Sequence, residues 1–265
     1  MHRLQRQVRF TVNPFLDAPV LGANSFCSEP AGEGLGLFLE IGVAVVGPAN
    51  EDTGFVINVL DIDKAVRQYV VPIFTDTIKA KYRRAEHITI AALVALLHQA
   101  QAALTGRLGP AILSDLSLKL NPYRKIAIDC EDNNMVYLSE KFEFAAMHKL
   151  WNDKFTAEQN FDAFGKCANP SGHGHNYIVE VTVKAKERSD TLKIGQFERV
   201  VDDYLISLID HKNLNADVPE FQKTNPTIEN LAVFAWQKLA PRFAPLKLHS
   251  ITVWETDKTA CSYYG

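Results

Sequence analysis

One motif occurs twice in this chain of 265 residues, and the repetition limits the folds that the chain can adopt. The segment P-A-G-E-G-L-G-L-F-L-E at Pro30 matches P-S-G-H-G-H-N-Y-I-V-E at Pro170 in its proline, both glycines, its glutamate and its alternating apolar positions. A second match, T-I-A-A-L at Thr89 and T-I-E-N-L at Thr227, follows at nearly the same spacing of about 140 residues. Two matches at one spacing indicate a tandem duplication, so both halves should share one fold.

Each half has the pattern of strands and helices expected for a mixed fold. Alternating apolar residues predict strands, whereas apolar residues three and four apart predict helices. The expected elements of the second half are strands at 135–147 and 175–185, helices at 197–209 and from 227, and strands at 248–256 and 260–264. The first of these helices should turn one apolar face inward, formed by Phe197, Val200, Val201, Tyr204, Leu205 and Leu208.

The order β-β-α-α-β-β in each half predicts an α+β protein with antiparallel sheets and helices on one face. The first half should end with a strand near 125–129 and a turn at 131–134, which divides the chain into units 1–131 and 132–265. Four strands leave two sheet edges in each unit. Closure into a barrel with neighbouring units, through homo-oligomerisation, would cover those edges.

Charge and composition exclude several classes of partner. The net charge is −3, the isoelectric point is near 6.2 and no run of Lys or Arg occurs, so neither nucleic acid nor an anionic membrane is expected as a partner. The most apolar stretch, 88–104, is too polar to span a bilayer, and the N-terminus lacks the apolar core of a signal peptide. Four scattered cysteines then indicate free thiols in a reducing cytoplasm.

Three histidines of the second half have the spacing of a metal site. His173 and His175 are two residues apart at a strand start, so both rings leave the same face of the sheet. His148 ends the preceding strand and should lie beside them if the two strands pair antiparallel. Three neutral imidazoles with an open fourth position are typical of a catalytic zinc. The flanking Gly172 and Gly174 should let the backbone fold closely around the metal.

The alternative interpretation of G-H-G-H alone is a turn with a polar edge. The third histidine in register favours metal binding over that interpretation. The remaining histidines have no comparable neighbours and are expected at the surface or in packing roles: His2, His87, His98 and His249.

Other polar side chains of the second half are candidates for catalysis. Cys167 lies six residues before His173, where a nearby cation and base would lower the pKa of its thiol and make it a base or nucleophile. Asp210 and His211 could form the oriented pair of a triad, although such a pair after a helix is also typical of a cap or turn. Glu255 could be a surface residue at a strand end or a bidentate acceptor for an N–H-rich ring.

The second half closely resembles the 6-pyruvoyl-tetrahydropterin synthase family. The segments that carry the resemblance occur in family order over about 125 residues. They are F-E-F-A-A-M-H at 142–148, F-G-K-C-A-N-P-S-G-H-G-H-N-Y at 164–177, I-D-H-K-N-L-N at 209–215, N-P-T-I-E-N at 225–230 and V-W-E-T-D at 253–257. The family fold, called the T-fold, has the order β-β-α-α-β-β.

The resemblance implies a role for each matched residue. It implies that His148, His173 and His175 bind Zn²⁺ and that Cys167 is the general base, assisted by Asp210 and His211. It also implies that Glu255 anchors the amino-pyrimidine edge of a pterin and that Thr227 and Glu229 contact it. The implied reaction is conversion of 7,8-dihydroneopterin triphosphate to 6-pyruvoyl-tetrahydropterin with loss of triphosphate, which makes the protein a lyase of tetrahydropterin biosynthesis.

Two other functions remain open at the level of sequence. One is 6-carboxytetrahydropterin synthase activity of queuosine biosynthesis, which shares zinc and substrate. The other is a non-catalytic pterin- or purine-binding protein with structural zinc. The first half departs from the family pattern, because Glu33 and Leu35 stand where His173 and His175 stand and Cys27, the counterpart of Cys167, has no histidines around it. We therefore predict a degenerate first unit without metal.

Overall fold

The computed structural model describes residues 1–22, 24–132, 135–186 and 193–265. The chain forms two compact units, mainly Met1–Leu138 and Ser139–Ala185 with Thr191–Gly265. The division falls inside a strand that begins at Met135, whereas the boundary expected from sequence was at residue 131. The turn expected at 131–134 lies partly outside the described residues. No helix in the described ranges is long and apolar enough to cross a membrane.

The first unit has an antiparallel sheet with helices packed on one face. Its elements are β1 His2–Val12, β2 Leu37–Gly47, α1 Val59–Ala65, α2 Val71–Arg83, α3 Ile90–Leu104, β3 Ile112–Asn121 and β4 Arg124–Asp129. The strands are ordered β1-β2-β3-β4, and a π-helical turn at Val66–Val70 joins α1 to α2.

The second unit repeats this order and adds short elements in its loops. Its main elements are β5 Met135–His148, α4 Ala157–Phe164, β6 His173–Lys186, α5 Ile194–Val201, α6 Ser207–Ile209, β7 Lys212–Asn213, α7 Leu214–Asp217, α8 Ile228–Leu239, β8 Lys247–Thr256 and β9 Thr259–Tyr263. The strands are ordered β7-β5-β6-β8-β9, with β7 parallel to β5. The predicted α+β order is confirmed, while α4, α7 and β7 lie where the sequence indicated loop.

The first helical segment of each unit contains a π-helical turn, and this turn changes which residues are buried. Phe197, Val201, Leu205 and Ile209 are all buried and each lies four residues after the last. In a regular α-helix, positions four apart drift about 40° around the axis at each step, and a π turn cancels that drift. The turn at Asp202–Ile206 therefore leaves Tyr204 and Leu208 outside, each 39% exposed, so their predicted inward orientation was wrong.

Strand periodicity places the functional strand ends. Phe144, Ala146 and His148 are the buried alternate residues at the end of β5, just as Val8, Phe10 and Val12 are at the end of β1. Burial of one face is favourable by about 25 cal/mol per Å² of apolar surface, which fixes the strand phase. The last inward position is thus a valine in the first unit and a histidine in the second.

Candidate metal centre and its surroundings

Three histidine side chains of the second unit converge at the ends of β5 and β6. His148 is the last residue of β5, and His173 and His175 open β6. The Nε2 atoms of His148 and His173 are 3.2 Å apart, and one nitrogen from each of the three rings lies within 4.8 Å of the others. This is the one group of metal-ligating side chains found within the described residues.

The hydrogen bonds of His148 fix the nitrogen that faces the cluster. Its Nδ1 lies 3.0 Å from the carbonyl oxygen of Pro226, an atom that can only accept, so Nδ1 carries the proton. The hydroxyl of Tyr177 lies 3.3 Å from the same nitrogen. The Nε2 lone pair of the neutral ring then points into the cluster. Metal-bound histidines are commonly oriented by such a carbonyl contact on the other nitrogen.

Burial favours the neutral form of two of the three histidine rings. Burial lowers the pKa of His148, against the opposing effect of the Pro226 carbonyl. Burial also lowers the pKa of His175. His175 Nε2 is buried and makes no hydrogen bond to any described residue, although Glu255 lies near it. Neutral rings with converging nitrogens suit a divalent metal ion, which would satisfy the lone pairs at once.

One of the two flanking glycines is required by the local backbone. Gly172 has φ +68°, and a Cβ atom there would lie 2.8 Å from the carbonyl oxygen of His148. At Gly174 a Cβ atom would lie 3.5 Å from the carbonyl oxygen of Ala146, which is an ordinary contact. The close approach expected of both glycines therefore holds at Gly172 alone, because only that residue meets the end of β5 at short range.

Glu255 reaches the cluster from a third strand, β8. Its Oε1 lies 3.5 Å from Nε2 of His148 and 3.4 Å from Nε2 of His175. Its side chain is 21% exposed. The sequence left open a surface position or a substrate-binding position for this residue. The structure directs the carboxylate at the histidines.

Cys167 also joins the cluster, where burial and a negative neighbour act on the pKa of its thiol. It lies in a 3-10 turn, Gly165–Ala168, with Sγ 3.7 Å from Nε2 of His173. Burial raises the pKa of the thiol, and the charge of Glu255 raises it further. The expected lowering was wrong for these side chains, because burial disfavours the charged thiolate and the nearby charge of Glu255 is negative.

Asp210 and His211 form a pair that is fastened to β5. Asp210 Oδ2 lies 2.8 Å from Nδ1 of His211, and its Oδ1 accepts a hydrogen bond of 2.9 Å from the backbone N–H of Ala145. The Ala145 amide and the His211 ring lower the pKa of Asp210. Cys167 lies beside His173, while Asp210 and His211 are held against β5.

A shallow groove connects this pair to the metal cluster. It has a volume of about 660 Å³ and is lined by 145–147 of β5, 174–176 of β6 and 211–213. His175 and His211 both line it, and the side chain of His211 is 82% exposed. A ligand in this groove would contact His175 of the cluster and His211 of the pair together.

The start of α8 supports the cluster through its backbone. Thr227 caps the helix, accepting a hydrogen bond from the N–H of Asn230, and the preceding carbonyl of Pro226 is the one that orients His148. Glu229 lies in the first helical turn with an exposed side chain. The direct contact with the cluster therefore comes from Pro226, and Thr227 and Glu229 follow that residue closely in the sequence.

Two asparagines that the sequence did not single out hold the loop after His148. Asn215 accepts a hydrogen bond of 2.7 Å from the N–H of Lys149 and donates one of 2.9 Å to its carbonyl. Asn225 accepts a hydrogen bond of 2.9 Å from the N–H of Trp151. Both lie within matched segments, N-L-N and N-P-T-I-E-N, so their presence in those motifs was the available signal.

The corresponding positions of the first unit carry no comparable cluster. Val12 is buried at the end of β1, whereas Glu33, Leu35 and Cys27 are exposed. The described residues of this unit contain no group of three metal-ligating side chains.

The fold and the site of the second unit define an α+β domain with a cluster of three histidines at its strand ends that could hold a metal ion. Residues 137–265 match the family model for 6-pyruvoyl tetrahydropterin synthase. A 6-pyruvoyl tetrahydrobiopterin synthase of Poecilia reticulata is 37% identical over 132 residues, which cover 49% of this chain and 90% of that relative. The chain belongs to the 6-pyruvoyl tetrahydropterin synthase family and is a pterin-synthase-type lyase.

Two further comparisons cover the same part of the chain. A 6-carboxy-5,6,7,8-tetrahydropterin synthase of Aquifex aeolicus (strain VF5) is 28% identical over 160 residues, 48% of this chain and 96% of that relative. The solved structure of a Caenorhabditis elegans 6-pyruvoyl tetrahydropterin synthase is 29% identical, covers 49% of this chain and 96% of its own, and has a TM-score of 0.46.

Proposed function

We propose that the second unit converts 7,8-dihydroneopterin triphosphate to 6-pyruvoyl-tetrahydropterin, releasing triphosphate, with zinc bound by His148, His173 and His175. The observation that carries the proposal is the cluster of three imidazoles with the Cys167 thiol 3.7 Å from His173. Zinc, when bound, supplies a Lewis acid that polarises the hydroxyls of the substrate side chain.

The residues of the chain then have separate tasks. Cys167 removes the protons next to those hydroxyls, since its sulfur borders the cluster where the side chain would bind. Glu255, Thr227 and Glu229 bind the pterin ring. His211, fixed by Asp210 and exposed to the groove that His175 also lines, transfers protons on the solvent side of the substrate.

The pyruvoyl product is favoured over the carboxy product by similarity and by local sequence. The Poecilia relative shares more residues with this chain than the Aquifex protein does, 37% against 28%. The F-G-K-C-A-N-P context of Cys167 and its spacing to His173 are also typical of the pyruvoyl-forming branch.

Product analysis tests the proposal. The full chain would be incubated with 7,8-dihydroneopterin triphosphate, and the pterin product identified by mass together with released triphosphate. We expect 6-pyruvoyl-tetrahydropterin. A 6-carboxy product would replace this proposal with the second pterin synthase activity. Metal-loaded protein that turns over no pterin would favour a non-catalytic binding protein.

We further propose that residues 1–131 form a degenerate T-fold without metal, and that chains assemble through sheet edges. Val12 at the end of β1 and the exposed Glu33 and Leu35 support the first part. Within each unit the strand order ends in edge strands, among them β1 in the first and β9 in the second, which supports the second part. Metal analysis should find one zinc per chain, and a monodisperse monomer in light scattering would contradict the assembly.

A further inference from the structure

The carboxylate of Glu255 and the histidine nitrogens have the spacing of ligands around one ion. Glu255 Oε1 is 3.5 Å from Nε2 of His148 and 3.4 Å from Nε2 of His175, and Nε2 of His148 is 3.2 Å from Nε2 of His173. Four ligands arranged tetrahedrally at about 2.0–2.1 Å from a zinc ion are about 3.3–3.4 Å from one another. The three measured separations agree with that edge length.

The two contacts of Glu255 are not explained by hydrogen bonds. Because Nδ1 of His148 donates to Pro226, its Nε2 has no proton to offer to Glu255. Nε2 of His175 is also without a hydrogen bond to any described residue, although Glu255 lies 3.4 Å away. A lone pair and a carboxylate oxygen at this distance repel each other, and a cation between them reverses the sign of the interaction.

We infer that Glu255 is a fourth protein ligand of the metal when no substrate is bound. The inference rests on the proposed function for the identity of the metal and the substrate. It adds β8 to a site otherwise built from β5 and β6. A bidentate contact of both Glu255 oxygens with the N–H-rich edge of a pterin would also use the oxygen that holds the metal, so pterin binding in this way should displace Glu255 from the metal and open its fourth position.

Cobalt spectroscopy and zinc affinity test this inference on the full chain. Cobalt(II) replaces zinc in such sites, and its visible absorption depends on the number and type of ligands. We expect E255Q to change that spectrum and to weaken zinc binding, measured by competition with a chromophoric chelator, by about 10-fold to 100-fold or more. Adding 7,8-dihydroneopterin to the cobalt-loaded wild type should shift its spectrum toward that of E255Q.

A matched control is E143Q, which removes an exposed carboxylate from β5 and should keep the wild-type spectrum and zinc affinity. If E255Q does not fold, E255D keeps the carboxylate on a shorter stem and should bind zinc with intermediate affinity. Wild-type metal binding with an unchanged E255Q would overturn this inference and leave the proposed function intact. A wild type that binds no metal would instead overturn the proposed zinc site itself.

Discussion

The two units share a framework and differ at a few strand-end positions. Both have a π-helical turn in the first helical segment, at Val66–Val70 and Asp202–Ile206, and both start a later helix with a capping threonine, Thr89 or Thr227. Yet among the described residues only those of the second unit bring three histidines together. The comparison shows that the framework forms without a histidine cluster at its strand ends, and that the cluster depends on residues the core does not require.

The first unit also has a buried carboxylate, but neighbouring cations compensate its charge. Glu40 of β2 is buried and lies 2.9 Å from Arg9 and 3.8 Å from Lys119. Its repeat counterpart Glu180 is only half-buried. A buried carboxylate held by two cations is neutralised by its own sheet. In the second unit, by contrast, the half-buried carboxylate of Glu255 faces histidines, which leaves it available to a metal or a substrate.

The largest expected effect separates the two units at the metal ligands. H175A should lose bound zinc and all turnover, because two imidazoles and the neighbouring carboxylate cannot hold the metal in the same geometry. L35A changes the corresponding position of the first unit, where the side chain is 91% exposed, and should keep one zinc per chain. Metal analysis of both variants measures this. Equal zinc loss in both would break the distinction between the units.

The second effect concerns the duplicated cysteines. C167A should lower the turnover rate by about 10²-fold to 10⁴-fold, the usual contribution of a positioned base, while zinc content stays unchanged. C27A should alter neither, since Cys27 is exposed and has no histidine cluster around it. Steady-state rates with parallel metal analysis check the pair. Unchanged rates in C167A would remove its assigned role.

The third effect is a pH dependence confined to the second unit. The pKa values of His148 and His175 lie below their usual 6.5, so the unfolded chain binds more protons and metal-free stability falls as the pH drops below about 6.5. All three tryptophans lie in the second unit, so their fluorescence reports its unfolding alone.

The measurement is the denaturant midpoint of metal-free protein at pH 7.5 and pH 5.5, followed by tryptophan fluorescence. We expect a lower midpoint at pH 5.5 and a smaller difference in H148Q. A midpoint that does not change with pH would contradict the neutral histidine cluster.

The smallest effect tests what the units have in common. T89A and T227A each remove a helix cap and should each cost about 0.5–2 kcal/mol of stability, measured by far-UV circular dichroism. If Thr227 contacts the pterin, T227A should also raise KM, whereas T89A should leave KM unchanged. A KM that rises equally in both variants would show that the loss is purely structural.

Sequence patterns predicted the helices and strands well where one face is buried. Alternation in β5, β6 and β8 was readable because burial alternates with the strand period. The exposed positions of Tyr204 and Leu208 were not readable, because the sequence shows apolar residues at helical spacing and nothing in it marks a π turn. The short elements α4, α7 and β7 were missed for a related reason, since they bury few side chains.

By itself, the sequence determined the repeated order of elements and the three histidines at strand ends, because both follow from local periodicity and spacing. Only the tertiary structure decided that Pro226 orients His148, that Glu255 turns toward the cluster and that Asp210 is hydrogen-bonded to β5. These contacts join residues distant in the chain. Their geometry depends on how strands and loops pack, which no local pattern encodes.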